Sequence, residues 1–408
     1  MKRIHGQVLV AAIGAAIVIS PLAMLHAADP SVPSQAAPVA THDPAGLAQS
    51  AIDKGLAFLK SQQQPDGSWQ GENDPPAMTA IALRAFVGAH HFNAEDPFIK
   101  KGFDKLLTYQ KDDGSISSDV LATYNTAIAI SALAKSNDPA YKKAVDKAVA
   151  YLRSIEWTDK IEGVANQSKK VDPKDPNYGG WGYGKRSRAD LSNAQMAIEA
   201  LHDAGLKPGD PAYAAAITFI SRAQNRSESN DQAWASDDGG FIYTPASGGL
   251  SNAGEYTGPN GQRMLRSYGS MTYAGLKSMM YAGLTKDDPR VKAAWEWIRH
   301  NWTVDQNPGI QYADPKDPKA VDYGLYYYYH TLARAMRAYG EPVITDTKGN
   351  KHDWRAEFVE KLAGEQQADG SYHGVQKWME NRPQLSTSFA VLSLEEAADD
   401  MREHPVKK

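Results

Sequence analysis

The side chains with the strongest claim on chemistry are carboxylates near helix starts and a run of tyrosines. Asp119 and Asp190 each stand alone just ahead of a small, apolar helical stretch. An acid there can donate a proton to a substrate, or it can cap the helix by accepting the free amide protons of the first turn. Asp190 is the candidate catalytic acid, because it follows the aromatic loop Tyr178 to Tyr183. Glycoside hydrolysis would need two carboxylates about 5 to 10 Å apart. Asp190, Asp237, Asp238, Glu255 and Asp322 are the acids available for such a pair, although Asp237-Asp238 also reads as loop structure. The segment YGLYYYYHTLARAM (Tyr323 to Met336) sets Tyr323, Tyr326, Tyr327 and His330 on one helix face at i, i+3, i+4 and i+7. With Tyr183, Tyr268 and Tyr273, Tyr323, Tyr327 and His330 are the candidates for lining a cavity with rings and hydroxyl handles. The alternative is that the same rings only pack a core.

Several chemistries lose their usual support. The chain has 408 residues, no cysteine and a formal net charge of −4, with no long run of one sign, so nucleic acid is not an expected partner. His90-His91 cannot place both rings on one helix face, and the other histidines are scattered, so no metal site and no cofactor are expected. There is no G-x-S-x-G elbow, no phosphate-binding G-x-x-x-x-G-K-S/T loop and no G-x-G-x-x-G.

The elements that must position these residues are repeated. The loops QQQPDGSW (Gln62 to Trp69), YQKDDGSI (Tyr109 to Ile116), YGGWGY (Tyr178 to Tyr183), DDGGF (Asp237 to Phe241), QNPGI (Gln306 to Ile310) and EQQADGSY (Glu365 to Tyr372) recur about 50 to 70 residues apart. That step fits two helices plus loops. The helix before each loop carries an apolar stripe, as at Val145, Ala148, Val149 and Leu152. The helix after each loop is apolar on nearly all sides, as in LATYNTAIAISALA (Leu121 to Ala134), and must be buried on all sides. The spacing therefore predicts an all-α, (α/α)6 toroid of six helix hairpins, with the second helix of each pair innermost. Pro97, Pro139, Pro211 and Pro289, each preceded by Asp, mark outer-helix starts.

The loops QQQPDGSW and EQQADGSY resemble the glutamine-tryptophan repeats of the squalene cyclase and protein prenyltransferase superfamily, degenerate copies of which run from Leu47 to Ala398. The resemblance implies the terpenoid cyclase-like toroid, with Gln and the aromatic ring tying one pair to the next. YGGWGYGKRSRADLSNAQMAIEAL (Tyr178 to Leu201) and YGSMTYAGL (Tyr268 to Leu276) further resemble exported bacterial members of unassigned function. The departures matter as much: the Asp-x-Asp-Asp acid of the cyclases is missing, and without cysteine the zinc site of the prenyltransferases cannot form. The expectation is a toroid without the usual catalytic machinery, binding an apolar, isoprenoid-like ligand or a protein partner. A divergent cyclase with a non-standard acid and a carbohydrate-active (α/α)6 enzyme are the alternatives.

At the N-terminus, Lys2-Arg3, the apolar stretch Val8 to Ile19, Ser20-Pro21 and Ala27-Ala28 have the layout of a secretory signal peptide. The expected organisation is a signal peptide over 1–28, a Pro/Ala-rich linker over 29–46, the toroid over 47–398 and a charged tail over 399–408. Export to the periplasm or the cell exterior follows, with no stable membrane span once the signal is cleaved; an uncleaved anchor is the alternative.

Overall fold

The computed structural model describes residues 43–405 apart from 72–73, 119, 159–170 and 186. The expected signal segment, nearly all of the linker and Asp119 lie outside the described residues. Among those described, twelve α-helices form six pairs. The first members are α1 (Pro44–Ser61), α3 (Pro97–Leu107), α5 (Lys142–Ile155), α7 (Pro211–Ala223), α9 (Pro289–His300) and α11 (Trp354–Glu365). The second members are α2 (Ala77–Gly88), α4 (Ala122–Lys135), α6 (Leu191–Asp203), α8 (Gly269–Tyr281), α10 (Leu325–Tyr339) and α12 (Pro383–Glu403). The second members pack in sequence order, each against the next, and α12 returns against α2 to close a ring.

Burial explains which helix goes inside. Every residue of α2 from Met78 to Gly88 is buried, whereas α3 buries only Ile99, Gly102, Phe103 and Leu106, a single stripe. Two short hairpins, β1 (Glu255–Thr257) with β2 (Arg263–Leu265) and β3 (Val343–Thr345) with β4 (Lys351–Asp353), decorate the connections.

All four Asp-Pro pairs start helices as expected, and three of the four aspartates also cap them. Asp210 and Asp288 cap α7 and α9 through their side chains, and Asp138 caps a 3₁₀ turn that leads into α5. Asp96 accepts from the Asn93 amide instead of from α3. A fifth pair, Asp43-Pro44, starts α1 three residues before Leu47, and α12 runs on to Glu403, past Ala398.

The repeat loops work as joints. Asp66 folds its own loop by accepting from the Ser68 amide (3.0 Å) and hydroxyl (2.7 Å), and Asp113 with Ser115 and Asp369 with Ser371 repeat the turn. Four of the six repeat loops are pinned to their own inner helix by a threonine: the amide of Trp69 donates to Thr79, that of Ile116 to Thr126, that of Phe241 to Thr272 and that of Tyr372 to Thr387. A glutamine reaches onward to the next pair, where Gln63 donates to the Phe98 carbonyl (2.8 Å), Gln110 to Ala144 (2.9 Å) and Gln224 to Arg290 (2.8 Å). Gln366 makes the same bond to Ala51 of α1 at 2.8 Å and closes the circle. Trp69 and Tyr372 are buried, and the Trp69 indole donates to the Leu59 carbonyl at 2.6 Å. In the third and fourth loops the positive-φ glycines are Gly179 and Gly239, not the adjacent Gly180 and Gly240.

Candidate functional site

The interior of the ring is crossed by side chains. Helices α6 and α10 are not neighbours in the ring, so contacts between them span the space inside. Nearest the loop end, the Tyr327 hydroxyl lies 2.9 Å from Ser192 and accepts from Gln195 at 2.9 Å, while Tyr124 hydrogen-bonds Ser192 from α4. One turn further, Lys277 of α8 donates to Gln195 and Glu199, and His330 Nε2 approaches Glu199 at 3.4 Å. At the far end, Arg334 pairs with Asp203 (2.8 Å) and Glu396 (3.0 Å), and Arg337 joins Glu396 (3.0 Å) and Asp399 (2.9 Å).

Burial sets the electrostatics. It pushes Glu199 upward, but Arg334, Lys277 and His330 outweigh it and hold the carboxylate well below its usual range. Burial draws Lys277 and His330 down, with Glu199 opposing in both cases. Glu396 is held low by Arg334 and Arg337 against its own burial. Glu395 beside it is pushed well above the ordinary range by burial, and its Oε1 has no hydrogen-bond partner among the described residues.

These crossings leave little room on the axis. A cavity of about 20 Å³ remains among Ile81, Ala127, Met196, His330 and Phe389, enough for about one water. The larger space lies at the C-terminal ends of the inner helices. There all six contribute, with Arg84, Lys135, Asp203, Tyr281, Arg337 and Asp399 among the lining, to an open bowl of about 800 Å³. Among the described residues, no three His, Cys, Asp or Glu side chains stand close enough to hold a metal ion, and no helix is long and apolar enough to cross a membrane.

The residues singled out in the sequence fall into three places. Tyr327 and His330 face the interior. Asp190 is fully buried and caps α6: its oxygens accept from the Asn193 amide (2.8 Å) and side chain (2.9 Å), and burial raises its pKa to about 6. Close to it at the loop face, the half-exposed Tyr183 shares a 2.9 Å hydrogen bond with the Tyr243 hydroxyl, and the buried Tyr268 accepts from Asn252 at 3.2 Å. Tyr273 and Tyr323 are not brought to the axis. Tyr273 packs edge-on to Tyr328, whose hydroxyl reaches the Thr303 carbonyl after α9, so that pair faces the outer layer. Tyr323 precedes α10 and donates to Asp317 at 2.7 Å on the surface. Of the acids weighed as a pair, Asp238 is tied to Ser267 and the Gly240 amide within its loop, and Glu255 pairs with Arg263 in the first hairpin. Glu199 and Lys277 of the charged column were visible in principle: each is a lone charge inside the apolar stretches LSNAQMAIEAL and YAGLKSMM.

One further acid governs the loop end. Glu380 is buried and accepts from the Tyr327 amide at 2.8 Å at the start of α10; burial raises its pKa to about 8. Between the unfolded value of 4.5 and about 8, the folded chain holds a proton that the unfolded chain has released. Stability from this group is therefore full below pH 4.5 and lost as pH rises through 8. Glu380→Gln is expected to flatten that slope, gaining on the wild type by a few kcal/mol at about pH 9 while matching it near pH 5. Denaturant midpoints across this range check it; parallel curves for the two proteins would refute it.

No family model matches the chain. Over 153 residues it is 32% identical to a lanosterol synthase from Aspergillus fumigatus, a match covering 32% of the chain and 20% of the synthase. The matched part is thus about a fifth of that relative's length. Among solved structures, a variant of the type II terpene cyclase MstE from Scytonema, in complex with geranylgeranyl dihydroxybenzoate, superposes with a TM-score of 0.51 at 14% identity, covering 88% of this chain and 99% of the other. The chain has the squalene cyclase-like toroid fold. A cellobiose 2-epimerase from Spirochaeta thermophila fits this toroid equally well, with a TM-score of 0.53 at 14% identity over 88% of the chain and 97% of the epimerase. Two chemistries on one architecture leave the side chains of this toroid to decide its function.

Proposed function

We propose that this chain is an exported toroid that binds its ligand in the bowl at the C-terminal ends of the inner helices, and that it does not cyclise isoprenoids. The observation that carries the reading is the contrast in space. Ligand sites for small molecules occupy about 300 to 1,000 Å³. The bowl, at about 800 Å³, is of that size, while the cavity beside His330 and Phe389 inside the ring holds about 20 Å³. An apolar ligand threaded among the tyrosines would have to displace the Tyr327–Gln195 and His330–Glu199 crossings. The charged bowl suits a polar ligand, in place of the isoprenoid-like one that the tyrosines alone suggested. Export rests on the Lys2-Arg3, Val8–Ile19 and Ala27-Ala28 pattern.

A divergent cyclase using Asp190 is favoured by one observation, the rise of that acid's pKa to about 6. Against it, Asn193 occupies both oxygens, and capping accounts for the position. The test is to incubate the full chain with squalene and geranylgeranyl compounds, and separately to recover it from its own extracytoplasmic fraction for native mass spectrometry. Expected are no cyclised product, a mature N-terminus near Ala28 or Asp29, and a co-purifying polar molecule that Ala338→Trp, placed in the bowl wall, displaces. Cyclised product lost in Asp190→Asn would overturn the reading.

A further inference from the structure

Four arginines are buried among the described residues, and three of them have obvious partners. Arg222 meets Asp231 at 3.1 Å, Arg334 meets Asp203 at 2.8 Å, and Arg355 meets Asp400 at 3.2 Å. Arg84 of α2 does not: it is only 8% exposed, and among the described residues its guanidinium makes no direct hydrogen bond or ion pair, acting on Asp203, Glu395 and Glu396 only through longer-range attraction. A buried guanidinium whose donors meet no acceptor is costly, and an Arg carries five donors in a planar fork suited to a carboxylate or a phosphate.

Its position says where a partner would come from. Arg84 lines both the axial cavity and the bowl, so it stands at the floor where the two meet. One turn on, Gly88 opens the wall beside it; a side chain there would run into both Arg84 and Glu395. Glu395 is more than nine-tenths buried and keeps Oε1 unpartnered at the same spot, while Lys135 and Lys207 stand on the rim. Arg84, Lys135, Lys207, Arg334 and Arg337 thus face the bowl against the carboxyls of Asp203, Glu395, Glu396 and Asp399. Glu396 and Asp399 are already engaged by Arg334 and Arg337.

We infer that Arg84 is an anion-binding residue at the floor of the bowl, taking the carboxylate or phosphate group of a small polar molecule in a bidentate grip, with the Glu395 carboxyl hydrogen-bonding the group beside it. Arg334 and Arg337 are spent on protein carboxylates and hold the floor in shape. Lys135 and Lys207 draw the anion in, so binding weakens as salt rises. The inference rests on the bowl being the ligand site and adds the chemical class of the ligand.

The test uses the full-length mature chain titrated with inorganic phosphate, glucuronate and, as an uncharged control, glucose, by calorimetry at low and at physiological salt. Saturable binding of one anion class, with glucose silent, is expected, and whichever of phosphate or glucuronate binds identifies the source chemistry. Arg84→Met is expected to weaken that binding at least about tenfold while changing the melting temperature little, because Arg84 makes no direct ion pair in the folded chain and Arg334 and Arg337 still hold the neighbouring carboxylates. A purely structural Arg84 would do the reverse, lowering the melting temperature and sparing the affinity. Failure of both anions to bind the wild type overturns the inference. So does binding that survives in Arg84→Met; if Ala338→Trp abolishes that binding, the bowl remains the site and only the role of Arg84 falls, whereas binding indifferent to both variants sinks the bowl reading too.

Discussion

Arg334→Met is expected to cost about 3 to 5 kcal/mol of folding stability and to lower the melting temperature by roughly 5 to 10 °C. The guanidinium sits among the buried Glu199 and the partly buried Asp203 and Glu396, and its removal leaves these carboxylates at the inner end of the bowl with one cation fewer. Met keeps most of the stem volume, so the loss reports charge and not a cavity. Glu199 still has Lys277, but Asp203 loses its arginine partner and keeps only the half-exposed His202 at 3.5 Å and the more distant Arg84. Adding Asp203→Asn to Arg334→Met is expected to recover part of the loss, because it removes one of the stranded charges. Thermal melts of the wild type and both variants decide the matter; a single variant as stable as the wild type would show that the column of ion pairs contributes nothing net.

The second large effect is expected at the closure of the ring. Gly370 has φ of +88°, and a Cβ there would overlap the Lys54 carbonyl of α1. Gly349 has φ of +89° with nothing within 4 Å of where an alanine Cβ would sit, which makes it the matched control. Gly349→Ala is expected to cost about 1 to 2 kcal/mol, the strain of a left-handed backbone alone. Gly370→Ala adds steric overlap with a carbonyl that cannot swing away, for a total of about 3 to 5 kcal/mol. Urea unfolding of the two variants checks the difference; equal losses would mean that the sixth loop is not pressed against α1.

The architecture was legible because its causes are local. Gly67, Gly114 and Gly370 sit in loops whose Asp-Gly-Ser order writes the turn directly, and all-round apolarity in Leu121 to Ala134 can only mean burial. The third and fourth loops carry two adjacent glycines each, and a sequence does not show which of them takes positive φ; the close approach of Ala215 and Ala293 does. The site was less legible for a reason of geometry. Helical spacing places Tyr323, Tyr327 and His330 on one face, but Tyr323 falls before the helix begins at Leu325, so the face loses a member. Tyr273 shares its helix with Lys277 at i+4, yet Tyr273 packs toward Tyr328 and the outer layer while Lys277 reaches Glu199. Periodicity ranks positions around one helix; which side faces the axis depends on the whole ring of neighbours. The open donors of Arg84 are invisible to any such pattern, since they are defined by what the rest of the molecule fails to place within hydrogen-bond reach.

The glutamine joints share one geometry but not one polymer cost. Gln63 and Phe98 are 35 residues apart along the chain, whereas Gln366 and Ala51 are 315 apart. Loop-closure entropy grows with the logarithm of that separation, so the final joint costs about 2 kcal/mol more to form for the same hydrogen bond. That deficit is met by the broad packing of α1 against α11 and α12, which no other outer helix has with the pair before it. The boundary between α1 and α12 is therefore the place where the ring gains most chain freedom on opening. A toroid held by near-identical joints still carries a latch, placed by chain connectivity and not by chemistry.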